Sequence, residues 1–107
     1  MSAACLPLCQ ATGMVLEVAL FDITSGSEDA FAAAYLQARE MVAQSPGCGS
    51  VRMTRGVESP TRFMLLVEWE SIERHEDFRE SERFPKWRGL IGPHFATPPV
   101  VEHFRDV

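Results

Sequence analysis

Basic charge is scarce: ten Lys and Arg stand against fifteen Asp and Glu in 107 residues, a net charge of −5. The ten are scattered, and none precedes Arg39. Without a basic stripe there is nothing to neutralise a row of phosphates, so nucleic acid is not an expected partner. Long apolar runs are also missing. None approaches the roughly 20 residues that cross a bilayer, so no membrane role is expected and the domain should be soluble. Cysteine is limited to Cys5, Cys9 and Cys48. An odd count without metal-like spacing argues against a disulfide framework and a zinc site, and free thiols fit a reducing, cytoplasmic setting. Residues 1–13 lack the positive start and longer apolar stretch of a secretory signal, so a disordered extension is expected there, with Met14 available as an alternative start.

What is present is apolar: 46% of the chain, enough for one domain with one core over 14–107. Arg62 to Trp69 is a nearly continuous apolar strand that ends on Glu68 and Trp69 and runs into a helix start at Ser71. Val15 to Ile23 is similar, broken by Glu17. Such runs read as strands covered on both faces. Between them, Ser27, Glu28 and Asp29 offer a cap and first-turn acids, and Phe31, Ala34, Tyr35, Ala38, Met41 and Val42 recur at helical spacing, which predicts a helix over roughly 28–44. Gly49 to Arg55 alternates like an edge strand with one wet face, on which Arg52 and Thr54 lie together. Ser71 and Ser81 each precede a short helix, one through His75 and Phe78, the other through Phe84, Trp87 and Ile91. Pro99 to Phe104 closes as an edge strand.

The expected fold is therefore α+β, a ferredoxin-like βαββαβ chain with a four-stranded antiparallel sheet and the two apolar runs at its centre. The helices of such a chain can cover only one face of the sheet. The uncovered face predicts a homodimer in which two sheets pack together.

The segment from Arg62 onward resembles the antibiotic biosynthesis monooxygenase (ABM) domain, a family of dimeric α+β barrels. The residues that carry the likeness are Leu66-Val67-Glu68-Trp69-Glu70-Ser71, then His75, the series Phe78, Ser81, Phe84 and Trp87, and Val100 to Phe104. The likeness extends over residues 14–105. It implies either cofactor-independent oxidation of a small aromatic or quinol-type compound, or a non-catalytic dimeric ligand-binding or accessory protein on the same fold. Haem degradation is not expected: Phe78 stands where relatives often place His or Trp, and Arg88 stands near the position of their iron-ligating His. A cofactor-free oxygenase needs a dry pocket, an acceptor for a phenolic proton and donors that hold the anion.

Trp69, His75 and Arg52 are the catalytic candidates on this reading; Tyr35, Phe78, Met64 and Phe95 are the ligand-binding ones. Each also has a plainer explanation. Trp69 suits the edge of a core, His75 between Arg74 and Glu76 suits a solvated helix face, Arg52 suits an exposed edge strand, and the others suit core packing. His103 in the last strand reads as structural or interfacial. No metal is expected, because no two of His75, His94 and His103 fall at helical ligand spacing.

Overall fold

The computed structural model describes residues 14–107; the stretch expected to be disordered, 1–13, lies outside the described residues. The elements run β1 (Val15–Asp22), α1 (Glu28–Ala43), β2 (Cys48–Arg55), β3 (Arg62–Trp69), α2 (Ile72–Arg79), α3 (Arg83–Ile91), a 3-10 turn (Gly92–His94) and β4 (Val100–Phe104). The strands pair antiparallel in the order β2-β3-β1-β4. This is the ferredoxin-like plan, with the apolar runs β1 and β3 at the centre.

Within the chain those two strands are not covered on both faces, as their continuous apolar character had suggested. In β3, Phe63, Leu65, Val67 and Trp69 are buried while Arg62, Met64 and Glu68 are exposed. In β1, Val15, Glu17, Ala19 and Phe21 are buried while Leu20 is exposed. The period of two thus survives beneath a pattern that hides it, because the outer face is apolar too. The register places Leu16, Val18 and Leu20 beside Glu68, Leu66 and Met64 on one side and Phe104, Glu102 and Val100 on the other. Arg52 and Thr54 lie on this same outer face, paired with Leu66 and Met64.

The inner face is covered by the helices. Helix α1 buries Phe31, Tyr35, Ala38 and Val42, a 3.6-period stripe, and α3 buries Trp87 and Ile91. Phe31 packs edge-on to Phe63 with centroids 4.8 Å apart, and Phe95 stacks on Phe21 at 5.0 Å. These rings fill one end of the space between sheet and helices.

The helix starts follow the sequence with one difference. The Ser71 hydroxyl accepts from the Arg74 N–H at 3.3 Å and caps α2. The Ser81 hydroxyl donates to the Phe78 carbonyl at 2.7 Å and accepts from the Arg83 N–H at 3.3 Å, which joins the end of α2 to the start of α3. Ser27 occupies the cap position of α1 but makes no side-chain cap bond. Instead the Glu28 carboxylate accepts from the Gly26 N–H at 2.9 Å. At the sheet corner, Gly47 adopts φ +85° and its carbonyl accepts from the Glu70 N–H. A Cβ there would meet the Arg74 side chain at 2.5 Å, so no larger residue fits this turn without displacing α2.

Candidate functional site

Alternation along β1 puts Glu17 on the inner face between Val15 and Ala19, and a carboxylate there must find partners or lose its charge. It finds two groups from two elements, and a third stands behind the second. Trp69, at the end of β3, donates its indole N–H to Glu17 Oε1 at 2.9 Å. His75, one turn into α2, places Nε2 3.3 Å from the same oxygen. His103, directly opposite Glu17 in the β1–β4 register, brings its Nε2 to 2.7 Å from His75 Nδ1. The His75 ring lies flat against the Trp69 indole, centroids 5.2 Å apart and planes 14° apart. Glu17 is 6% exposed and His75 4%. No buried side-chain polar atom lacks a partner among the described residues.

Burial drives both acid and base toward their uncharged forms. It raises the Glu17 carboxyl above its ordinary value, against the Trp69 N–H and the positive charge of Arg79, which favour the anion. It lowers the His75 imidazole from 6.5 to about 4, helped by neighbouring His103 and Arg79. The Glu17–His75 contact is therefore best described as a close polar contact in a low-dielectric site, with the imidazole neutral at physiological pH.

A cavity of about 420 Å³ opens beside this pair. Glu17, Ala19 and Phe21 of β1 and Leu65 of β3 form its floor; Val42, His75, Phe78, Phe84 and Trp87 form its helical wall. Arg79, Arg88, Pro98, Pro99 and Val101 complete the lining. The volume is that of a small-molecule site, mostly apolar with a few convergent polar groups.

Of the residues singled out by sequence, His75 and Phe78 line the cavity. Trp69 is not on its wall; it stands behind His75 and anchors Glu17. The solvated reading of His75 fails, since α2 turns that side chain inward. Arg52 lies on the opposite face of the sheet, away from Trp69 and His75. Met64 is on that outer face as well. Tyr35 packs edge-on to Trp87 in the core, and Phe95 stacks on Phe21; neither lines the cavity. Two members of the cluster were not recognised in the sequence as candidates, Glu17 and His103. A single acid interrupting an apolar strand, in step with the residues that face the helices, was the available signal for Glu17. For His103 the deciding fact is a pairing with the far end of the chain. No group of three or more His, Cys, Asp or Glu among the described residues is arranged to hold a metal ion.

Comparison with known proteins gives this cluster its setting. The sequence profile described as antibiotic biosynthesis monooxygenase, ABM, matches residues 14–90. The chain belongs to the ABM family. Within it, a Bacillus subtilis relative, the uncharacterized protein YczJ, is 36% identical over 95 residues, 88% of this chain and 100% of that one. The crystal structure of a candidate ABM protein from Bordetella bronchiseptica superposes with a TM-score of 0.86 at 40% identity, over 90% of this chain and 99% of its own. Another from Caulobacter crescentus superposes at 0.78 with 23% identity, over 89% and 91%, a likeness of fold. The ABM match ends before β4, so His103 lies outside it.

Proposed function

We propose that this ABM protein is a monooxygenase that works without metal or flavin, oxidising a small aromatic or quinol-type compound in the cavity beside Glu17 and His75. One observation carries the reading: a buried carboxylate and a neutral imidazole, 3.3 Å apart, both form part of the wall of an apolar cavity of about 420 Å³. A phenol in that cavity meets a proton acceptor that is itself buried. The phenolate is electron-rich enough to reduce O2. The overall balance is phenol plus O2 giving quinone plus water: the substrate supplies all four electrons, a ring C–H becomes C=O, and the second oxygen atom leaves as water. Trp69 holds Glu17 and supports the His75 ring; Phe78 and Phe84 supply stacking surface.

The working unit is a homodimer. Leu20 is 38% exposed and Met64 36% on an outer face that also carries Leu16, Val18 and Leu66, a patch suited to a second copy of the sheet. Its setting is the cytoplasm, where thiols such as Cys48 stay reduced.

Oxygen uptake with a panel of hydroxylated aromatics tests the reading. One atom of ¹⁸O from labelled O2 should enter the product, and Glu17→Gln and His75→Gln should each lower kcat by about a hundredfold or more. Saturable binding of these compounds with no turnover in any of them would overturn it in favour of a non-catalytic ligand-binding or accessory protein.

A further inference from the structure

We propose that His103 is the solvent port of a proton wire, His103–His75–Glu17, that sets the protonation state of the cavity carboxylate from the sheet edge. The proposal rests on the assignment of Glu17 as proton acceptor.

The geometry is a hydrogen bond followed by a close polar contact. His103 Nε2 lies 2.7 Å from His75 Nδ1, and His75 Nε2 lies 3.3 Å from Glu17 Oε1. Each imidazole uses one nitrogen toward each neighbour, which is the arrangement that passes a proton through a ring. His103 Nδ1 has no hydrogen-bond partner among the described residues, and the residue is only half-buried, on the edge strand β4. Glu17 and His75 line the cavity, whereas His103 does not. The line therefore runs from the cavity wall to the sheet edge.

Its bookkeeping closes in both directions. With Glu17 ionised, His75 Nε2–H donates to the carboxylate and His103 Nε2–H donates to His75 Nδ1. A proton from a solvent hydronium then bonds to His103 Nδ1, leaving water; His103 Nε2–H moves to His75 Nδ1, and His75 Nε2–H moves to Glu17. The product is a carboxylic acid and two rings in their other neutral tautomers. Run backwards, the acid proton leaves through His103 Nδ1 to water. Three bonds to hydrogen form and two protein N–H bonds and one bond in the donating hydronium break, and the only protein group whose charge changes is Glu17. No lasting imidazolium is required at His75, where burial holds the ring neutral. Several charged or titratable groups lie around the line, among them Arg88 of α3, which lines the same cavity as Glu17 and His75. Arg79 of α2 acts on both Glu17 and His75, Trp69 of β3 donates to Glu17, and the Cys48 thiol of β2 is held protonated by burial and by Glu17 itself. His103 touches neither cavity nor substrate, so it acts through His75 as a relay and positioning residue.

The test has two arms on the full-length protein. In the first, ¹⁵N-labelled histidine and ¹³C-labelled glutamate are followed by NMR across pH. Both rings should exchange one neutral tautomer for the other in step with the Glu17 carboxyl, and the step should vanish in Glu17→Gln. Independent protonation of each ring to imidazolium, with no tautomer change tracking Glu17, would overturn the wire whether or not any phenol is oxidised. In the second arm, His103→Ala should lower kcat by about tenfold or more at little change in KM, and added imidazole should restore it in proportion to its concentration. His103→Gln, which keeps a hydrogen bond to His75 but cannot relay, should stay slow. A His103→Gln variant as fast as the parent would sink the proposal. Failure of the parent to take up oxygen with any phenol would instead strike the oxygenase reading, leaving the NMR arm to decide the wire.

Discussion

Acidification should destabilise the protein through His75 by an amount that can be worked from its surroundings. The ring's pKa falls from 6.5 to about 4 on folding. The folded state is thus the poorer proton binder, so the stability that His75 contributes is fully present above pH 6.5 and is lost as pH falls through 4. Linkage converts the shift into a loss of about 2 kcal/mol between pH 7 and 5, and about 3 kcal/mol by pH 4. Glu17 works in the opposite sense: its raised carboxyl pKa makes folding more favourable as protons are added, partly masking the loss. Comparing Glu17→Gln with Glu17→Gln/His75→Gln removes the mask, since the amide oxygen still accepts from Trp69. Urea unfolding at fixed protein concentration, followed by tryptophan fluorescence from pH 7.5 to 4, reads the difference. The single variant should lose about 2 to 3 kcal/mol more than the double variant across that range. Parallel pH profiles for the two would refute the reasoning, because they would mean that the imidazole is protonated in the folded protein as readily as in the unfolded chain.

Trp69→Phe keeps most of the buried ring but removes the donor to Glu17, and should cost about 2 to 3 kcal/mol in urea unfolding while shifting the Glu17 carboxyl further up, as read by ¹³C NMR. Leu66→Glu, in the middle of the outer sheet face, should halve the apparent mass in sedimentation while leaving the far-ultraviolet circular dichroism spectrum unchanged; an unaltered mass would remove this face from the dimer. Gly47→Ala should lower the unfolding free energy by more than Gly26→Ala, for which about 1 kcal/mol is expected, because both glycines have positive φ but only Gly47 has Arg74 in the path of a Cβ.

The arrangement of elements was legible because each boundary had a local cause. Arg62 to Trp69 was bounded as observed, Ser71 capped the helix expected of it, and Gly47 and Gly92-Pro93 fell where helices stop. Central and edge strands could be ranked by their apolar content. The site was less legible, for two physical reasons. First, the outer face of the sheet is nearly as apolar as the inner one, so β1 and β3 read as uniform runs and the parity that turns Glu17 inward was masked. Arg52, read as a partner of Trp69, is separated from it by that same parity. Second, Glu17 and His103 meet only because β1 and β4 pair in one particular register, and nothing local to Val100–Phe104 specifies it. His75 was recognised as a candidate, yet its burial depended on which side of α2 faces the sheet, and Arg74 and Glu76 on either side of it suggested the wrong one.

The edge strand β4 is only five residues long and bonds to β1 alone. Its entrance is pinned, with Ala96 N–H donating to the Asp22 carbonyl, Thr24 N–H donating to the His94 carbonyl, and Ile23 bridged to Phe95. Its far end is tied to the helical layer by a single side-chain contact, His103 Nε2 to His75 Nδ1 at 2.7 Å. Fraying from that end would carry off His103 while β1, β2, β3 and the helices stayed packed, a partial opening far less costly than global unfolding. Two melting events are expected: heat or mild denaturant should break that one contact and disconnect the buried acid from its outer imidazole before the core gives way, and amide exchange in β4 would be the clock that times it.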